Sequence, residues 1–123
     1  MADLISQKIV LNLNTTFSLG RLSAQSAHAS WISVLDQGYW DSNDNFVIPC
    51  KTKPELKSWL SGQFTKVMLR GWGDDMLLSL RDKAEENGIP FGLMSEDGFH
   101  TALSIGPALT KDIDLTIGKL LLL

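Results

Sequence analysis

Short unbroken apolar runs alternate along this chain with stretches in which apolar residues recur at helical spacing. Ile9-Val10-Leu11-Asn12-Leu13 is nearly continuous, as expected of a buried strand. Leu19 to Asp36 then carries Ala24, Ala27, His28, Trp31 and Leu35 three and four apart, which predicts a helix with that stripe turned inward and Gly38 ending it. Asp41 to Asn45 reads as a turn by composition. Thr52-Lys53-Pro54-Glu55 has capping-box spacing with proline in the first turn, predicting a short helix to about Leu60 that buries Leu56, Trp59 and Leu60.

The second half repeats the alternation. Lys66 to Arg70 reads as a strand, and Gly73-Asp74-Asp75 opens a helix with its acids at the positive end of the dipole. Leu77, Leu80 and Ala84 mark that helix's inner face, Gly88 suits the position after its end, and Phe91 to Ser95 is the next strand. Residues 66 to 95 thus predict a βαβ unit with parallel strands and a right-handed crossover. Ala102 to Ile105 is a fourth strand, reached through Glu96-Asp97-Gly98, a link short enough for an antiparallel hairpin. Thr110 is placed to cap a last short helix that Gly118 stops, and the tail Leu120 to Leu123 is suited to an edge strand or an interface. The expected fold is α/β: a single three-layer domain over residues 1–123, a four-stranded mixed sheet with helices on both faces.

Composition changes this picture little. The chain has 123 residues, 44% apolar and 20% charged, enough for one hydrophobic core and ordinary for a soluble globular domain. One cysteine, Cys50, fits a reducing compartment, and neither a signal peptide nor a membrane span is apparent. The net charge of −3 argues against indiscriminate nucleic-acid binding over the whole surface. Its distribution is uneven: Lys51, Lys53, Lys57, Lys66 and Arg70 stand against Glu55 alone, whereas residues 71 to 97 hold seven acids against Arg81 and Lys83. The basic segment is a solvated face or a contact for a phosphate backbone.

Candidate chemistry concentrates at Ser18-Leu19-Gly20-Arg21, where the first strand feeds the first helix. Ser18 can cap the helix, Gly20 permits close backbone approach, and Arg21 is a cation in the first turn, the wrong end of the dipole unless an anion is near. Free N–H groups and a guanidinium together make a cradle for an anionic ligand or an acidic side chain. The plainer reading is a solvated arginine beside a capped helix. Two histidines 72 positions apart and one cysteine form no recognisable metal cluster, no Gly-x-Ser-x-Gly elbow occurs, and Gly71-Trp72-Gly73 lacks the rest of a phosphate loop. Trp31 and Trp59 suit packing, while Trp40 and Trp72 fall in loops where base stacking is open to them.

The segment SLGRLSAQSAHAS resembles the skGKxAAQxaHA stretch that opens the first helix of type 2 peptidyl-tRNA hydrolases. TALSIGPALTKDIDLTIGKLLLL is similar to that family's closing TVLAIGPAPxxxIDxVTGxLKLL, and KVMLRGWGDDMLLSLRDKAEENGIPFGLMSEDG to the strand–helix–strand between. The likeness covers most of residues 7 to 123 except about 38 to 63.

That resemblance implies metal-free, cofactor-free hydrolysis of the ester in peptidyl-tRNA or N-blocked aminoacyl-tRNA by a cytoplasmic homodimer. It assigns Arg21 to the position of the family's lysine, where an arginine acts electrostatically because it does not release its proton. Asp97 takes the place of the aspartate in Asp-Ala-Gly-Arg-Thr, Thr101 the threonine before the last strand, and His28 a supporting place on the helix. Ser18, Gly20 and Gln25 would contact substrate. The chain departs from the pattern where SEDGFHTALSIGP replaces DAGRTxxxxGTxTVLAIGP: the arginine, its threonine and the proline-glycine loop are absent, and His100 is a new ionisable group. Asp97 is therefore either a site carboxylate or the turn residue of an Asp-Gly hairpin. The alternative function is a catalytically inactive tRNA- or protein-binding module on the same fold.

Overall fold

In the computed structural model, which describes residues 4–123, a four-stranded mixed sheet has helices on both faces. Strand β1 (Ile5–Asn12) leads to helix α1 (Leu19–Leu35). A small hairpin, β2 (Tyr39–Trp40) and β3 (Phe46–Val47), precedes a 3₁₀ turn at Cys50–Thr52 and helix α2 (Pro54–Ser61). Then come β4 (Lys66–Gly71), α3 (Asp74–Glu86), β5 (Phe91–Glu96), β6 (Phe99–Leu109) and α4 (Thr110–Ile117).

The sheet order is β4-β1-β6-β5. β1 runs parallel to β4 and antiparallel to β6, and β6 runs antiparallel to β5, so β1, β4 and β5 share one direction. The β4–α3–β5 unit has parallel strands as expected, but they are not neighbours, because β1 and β6 lie between them. Residues 101 to 108 of β6 are all buried, and a strand covered on both faces belongs at the centre.

Alternation along β1 divides the core. Val10 faces Leu77, Leu80, Ala84 and Ile113 of α3 and α4, while Leu11 faces Leu22 and Ala29 of α1. A third cluster joins Val34, Leu56 and Trp59 where α2 meets the end of α1. Helix α3 ends in a Schellman motif: the N–H of Ile89 donates to Ala84 O at 2.9 Å and that of Gly88 to Glu85 O at 3.1 Å, with Gly88 at φ +66°. The leucine tail lies along the outer edge of β4, with Arg70 N donating to Leu121 O at 2.8 Å and Leu123 N to Met68 O at 3.1 Å.

Several local expectations are corrected. The buried stripe of α1 is Leu22, Gln25, Ala29, Ser30, Ser33 and Val34, whereas Ala24, Ala27, His28, Trp31 and Leu35 are exposed. The helix is rotated because the sheet beneath it supplies hydrogen-bonding partners: Gln7 Nε2 donates to Ser33 Oγ at 2.7 Å, Ser30 Oγ to Gln7 Oε1 at 2.5 Å, and Ser104 Oγ to Ala29 O at 2.6 Å. For the same reason β1 starts at Ile5 and β6 extends well beyond Ala102–Ile105, since Gln7, Thr101 and Ser104 are buried with partners. Thr52 does not cap α2; its hydroxyl donates to Pro49 O at 3.0 Å, and Lys53 precedes Pro54 without a side-chain cap. Thr110 is the first residue of α4 rather than its cap, and its hydroxyl pairs with Ser6 Oγ at 2.7 Å.

Gly92 on β5 is where α1 comes nearest. A Cβ there would lie 2.5 Å from Ala29 O and 2.7 Å from Ser33 N. Gly92→Ala is expected to lower stability by at least about 2 kcal/mol, the upper range of overpacking costs, measured by urea unfolding.

Candidate functional site

Chemistry-bearing residues converge where β1, β4 and β5 present their carboxyl ends, the edge at which open α/β sheets bind ligands. From β1 the chain turns through Asn14 to Phe17 into α1. Ser18 is the cap: its extended backbone breaks the helix, and its Oγ accepts from Arg21 N at 3.2 Å. Among the described residues the Leu19 and Gly20 amides make no hydrogen bond, and the space beside Gly20 is open, with nothing within 4 Å of where its Cβ would be.

The facing wall is the β5–β6 hairpin. Glu96 pairs with Phe99, leaving a two-residue turn in which Asp97 (φ 51°) and Gly98 (φ 83°) both take the left-handed conformation that a type I′ turn requires. Asp97 is therefore the turn residue, and from that turn its carboxylate also meets Arg21. Arg21 Nη2 donates to Asp97 Oδ2 at 2.5 Å and to Glu96 Oε2 at 3.1 Å, and the guanidinium lies 4.0 Å from the Phe17 ring centroid. The Asp97 hydrogen bond raises the pKa of Arg21 above its usual value, and the charges of Asp97 and Glu96 add to it. Arg21 therefore stays cationic at any working pH. All three side chains are substantially exposed, so the cluster does little for stability and remains open to exchange with a ligand.

The cluster continues inward. Gln25 Nε2 donates to Glu96 Oε2 at 3.2 Å, and Thr101 Oγ1 donates to Gln25 Oε1 at 2.6 Å, with Met94 O 3.1 Å from the same hydroxyl. Gln25 and Thr101 are buried, so they brace the Arg21–carboxylate cluster from below instead of facing solvent. The Thr101 hydroxyl thus reaches Arg21 only through Gln25 and Glu96. His28 lies exposed on α1, and among the described residues it makes no hydrogen bond to this cluster. A stripe through Trp31 and Leu35 turns His28 inward, whereas the buried face of α1 runs through Gln25, Ala29 and Ser33.

Three further residues were not singled out in the sequence. Glu96 shares Arg21 with Asp97. Asn12, fully buried at the end of β1, donates through Nδ2 to His100 O at 2.9 Å and to Asp74 Oδ1 at 3.2 Å, and accepts from Asn14 N and Gly73 N at 2.9 Å each. Asp74 Oδ1 also accepts from His100 N at 2.9 Å. This knot fixes the loops beside Arg21; its signal was an amide inside an apolar strand. His100 Nδ1 lies 2.7 Å from Ser95 Oγ. Next to it, Asn14, Trp72, Gly73, Asp74, Asp75 and Phe99 surround a cleft of about 390 Å³. Among the described residues no group of three or more His, Cys, Asp or Glu is arranged to hold a metal ion, and no helix is long and apolar enough to cross a membrane.

A family model described as Peptidyl-tRNA hydrolase PTH2 matches residues 5–123. The chain is similar to the peptidyl-tRNA hydrolase of Haloquadratum walsbyi, 32% identical over 94% of this chain and 97% of that protein. It is 31% identical to that of Methanopyrus kandleri over 95% of this chain and 97% of the relative. A solved structure of a protein of unknown function from Agrobacterium has the same fold, with a TM-score of 0.53 at 13% identity, covering 100% of this chain and 99% of that one.

Thr101→Val is expected to cost about 1–3 kcal/mol, because it leaves the buried Gln25 carbonyl without its donor. Adding Gln25→Leu should recover part of that loss, since an apolar pair removes the orphaned group. Chemical denaturation of the two variants and the double mutant reads the coupling directly.

Proposed function

The chain belongs to the peptidyl-tRNA hydrolase PTH2 family, and from that premise we propose that it hydrolyses the ester of peptidyl-tRNA or N-blocked aminoacyl-tRNA. The observation that carries the reading is Arg21, paired with Asp97 and Glu96 beside the open first turn of α1. Asp97 commits Oδ2 to Arg21, which leaves Oδ1 to accept a proton from water. The hydroxide so formed adds to the ester carbonyl. The oxyanion is stabilised by the Arg21 guanidinium and the free amides of Leu19 and Gly20. Collapse breaks the C–O bond to the ribose, and the proton held by Asp97 passes to the leaving oxygen. The products are a tRNA with a free terminal hydroxyl and a peptide carboxylic acid, which releases its proton to solvent to become the carboxylate.

Gln25 and Thr101 act as positioning residues, holding Glu96 so that Arg21 stays in the mouth of the site. Ser18 presents the free amides by capping the helix, and Gly20 leaves room for the substrate backbone. His28 is assigned no step. An incoming phosphate or oxyanion competes with two carboxylates for Arg21, so binding should weaken steeply with salt. The reading also implies a homodimer working in the cytoplasm, where tRNA is charged.

A second reading is a tRNA-binding module without turnover. The two-residue Asp97–Gly98 turn favours it, since the family's segment carries an arginine and a threonine in a longer loop there. Purified protein incubated with N-blocked aminoacyl-tRNA separates the two. Hydrolysis that falls at least about tenfold in both Arg21→Ala and Asp97→Asn, with Arg21→Lys retaining more than Arg21→Ala, supports the enzyme. Salt-sensitive binding without turnover supports the module, and neither binding nor turnover sinks both. Sedimentation of the wild type at about twice the 13.6 kDa chain mass is expected if the homodimer forms.

A further inference from the structure

Beyond the Arg21 cluster, the same face of the sheet has an unfilled niche farther along α1. Helix α1 covers β5 and β6 more than it covers β4. Between α1, α2 and the start of β4 an apolar hollow of about 420 Å³ remains, bounded by Trp31, Val34, Trp59, Leu60, Phe64 and Lys66. Of its lining residues Trp31 is 61% exposed and Phe64 49%, whereas Val34 and Trp59 are buried. Trp59 is fixed by its indole N–H donating to Thr65 O at 2.9 Å and by an edge-on contact with Phe64, centroids 5.8 Å apart. Lys66 Nζ stands 5.1 Å from the Trp59 ring and 5.8 Å from that of Phe64.

We infer that this niche holds an unpaired base of the substrate's RNA strand, stacked between Trp31 and Phe64, with Lys66 beside its phosphate. The inference rests on the proposed tRNA-ester reading and extends it. Charge decides between occupants. No carboxylate lines the hollow, and Lys66 belongs to the run with five cations against one acid in a chain of net charge −3. Lys66 is the charged residue at the hollow, so its mouth carries a local positive charge suited to a phosphate on an otherwise acidic protein. Register adds to this: Lys66, Met68 and Arg70 pair with Gln7, Ile9 and Leu11, so they sit on the face that α1 covers. Position agrees as well. Trp31 is ten residues along α1 from Arg21, roughly 15 Å of helix, a separation that a few nucleotides upstream of a 3′ ester held at Arg21 can span. Stacking suits an enzyme acting on many tRNAs, because every base offers a π-face.

The test uses the full-length protein with two substrates, N-blocked aminoacyl-tRNA and the same aminoacyl ester on adenosine alone, which ends before the niche. Trp31→Ala is expected to raise KM for the tRNA ester about tenfold, the scale of one lost base stack, with Trp31→Phe restoring most of it. Lys66→Glu should reduce the salt dependence of KM. An equal loss on the adenosine ester, or no change in KM for tRNA, overturns the niche while leaving the hydrolase reading intact. If the wild type hydrolyses neither substrate, that reading fails, and the niche is judged by binding of a short 3′-terminal RNA oligonucleotide. Binding lost in Trp31→Ala then supports it, and no binding by the wild type overturns it. A Trp31→Ala protein that sediments as half the wild-type mass identifies the niche as a contact between copies and also overturns it.

Discussion

Helix α1 approaches the sheet more closely than apolar side chains allow, and the rest of the structure depends on that approach. Gly92 removes the side chain that would strike the helix backbone at Ala29 and Ser33. Ser30, Ser33, Ser104 and Gln7 then satisfy one another and the helix carbonyls across the narrowed gap. Hydrogen bonds do here what leucine packing does on the opposite face, where Val10, Leu77, Leu80 and Ile113 form an ordinary core. A polar seam of this kind is costly if any member is left unpaired, so it fixes the rotation and height of the helix closely. No buried side-chain nitrogen or oxygen is left without a partner among the described residues.

That fixed rotation is what gives the site its geometry. The seam runs along α1 to Gln25, which reaches Thr101 on one side and Glu96 on the other. One turn earlier the helix ends in a capped first turn with Arg21 pointing at the β5–β6 hairpin. On the neighbouring strand ends, Asn12 ties β1, the start of α3 and the start of β6 into one unit. The two walls of the site are thus set by buried amides, while the charged groups between them stay exposed and exchangeable. Rigid supports thus surround a loose, exposed charged centre.

The order of the main-sheet strands and the four helices, the hairpin at Asp97-Gly98 and the inner face of α3 were legible in the sequence, and an edge position was one of two fates open to the leucine tail. Each depends on local chemistry: an Asp-Gly dipeptide, a 3.6-residue apolar period, a glycine past a helix end. Arg21 was legible as a cation in the wrong half of a helix dipole, but whether an anion or only solvent faced it was not. The buried face of α1 was not legible, since a hydrophobicity count favours Trp31 and Leu35 over Ser30 and Ser33. Asn12 and Glu96 were missed because their partners lie on other strands, dozens of residues away.

By itself the sequence determined an α/β domain whose first helix opens with a capped, cationic turn, because those features follow from residue periods and local capping. Tertiary structure alone decided that β6 lies between β1 and β5, and that serines and glutamine rather than tryptophan face the sheet. It also decided that the Arg21 counter-charges come from a turn 75 residues away. The physical reason is the same in each case: a buried polar group takes its place from its partner, and the partner is known only once the chain has folded.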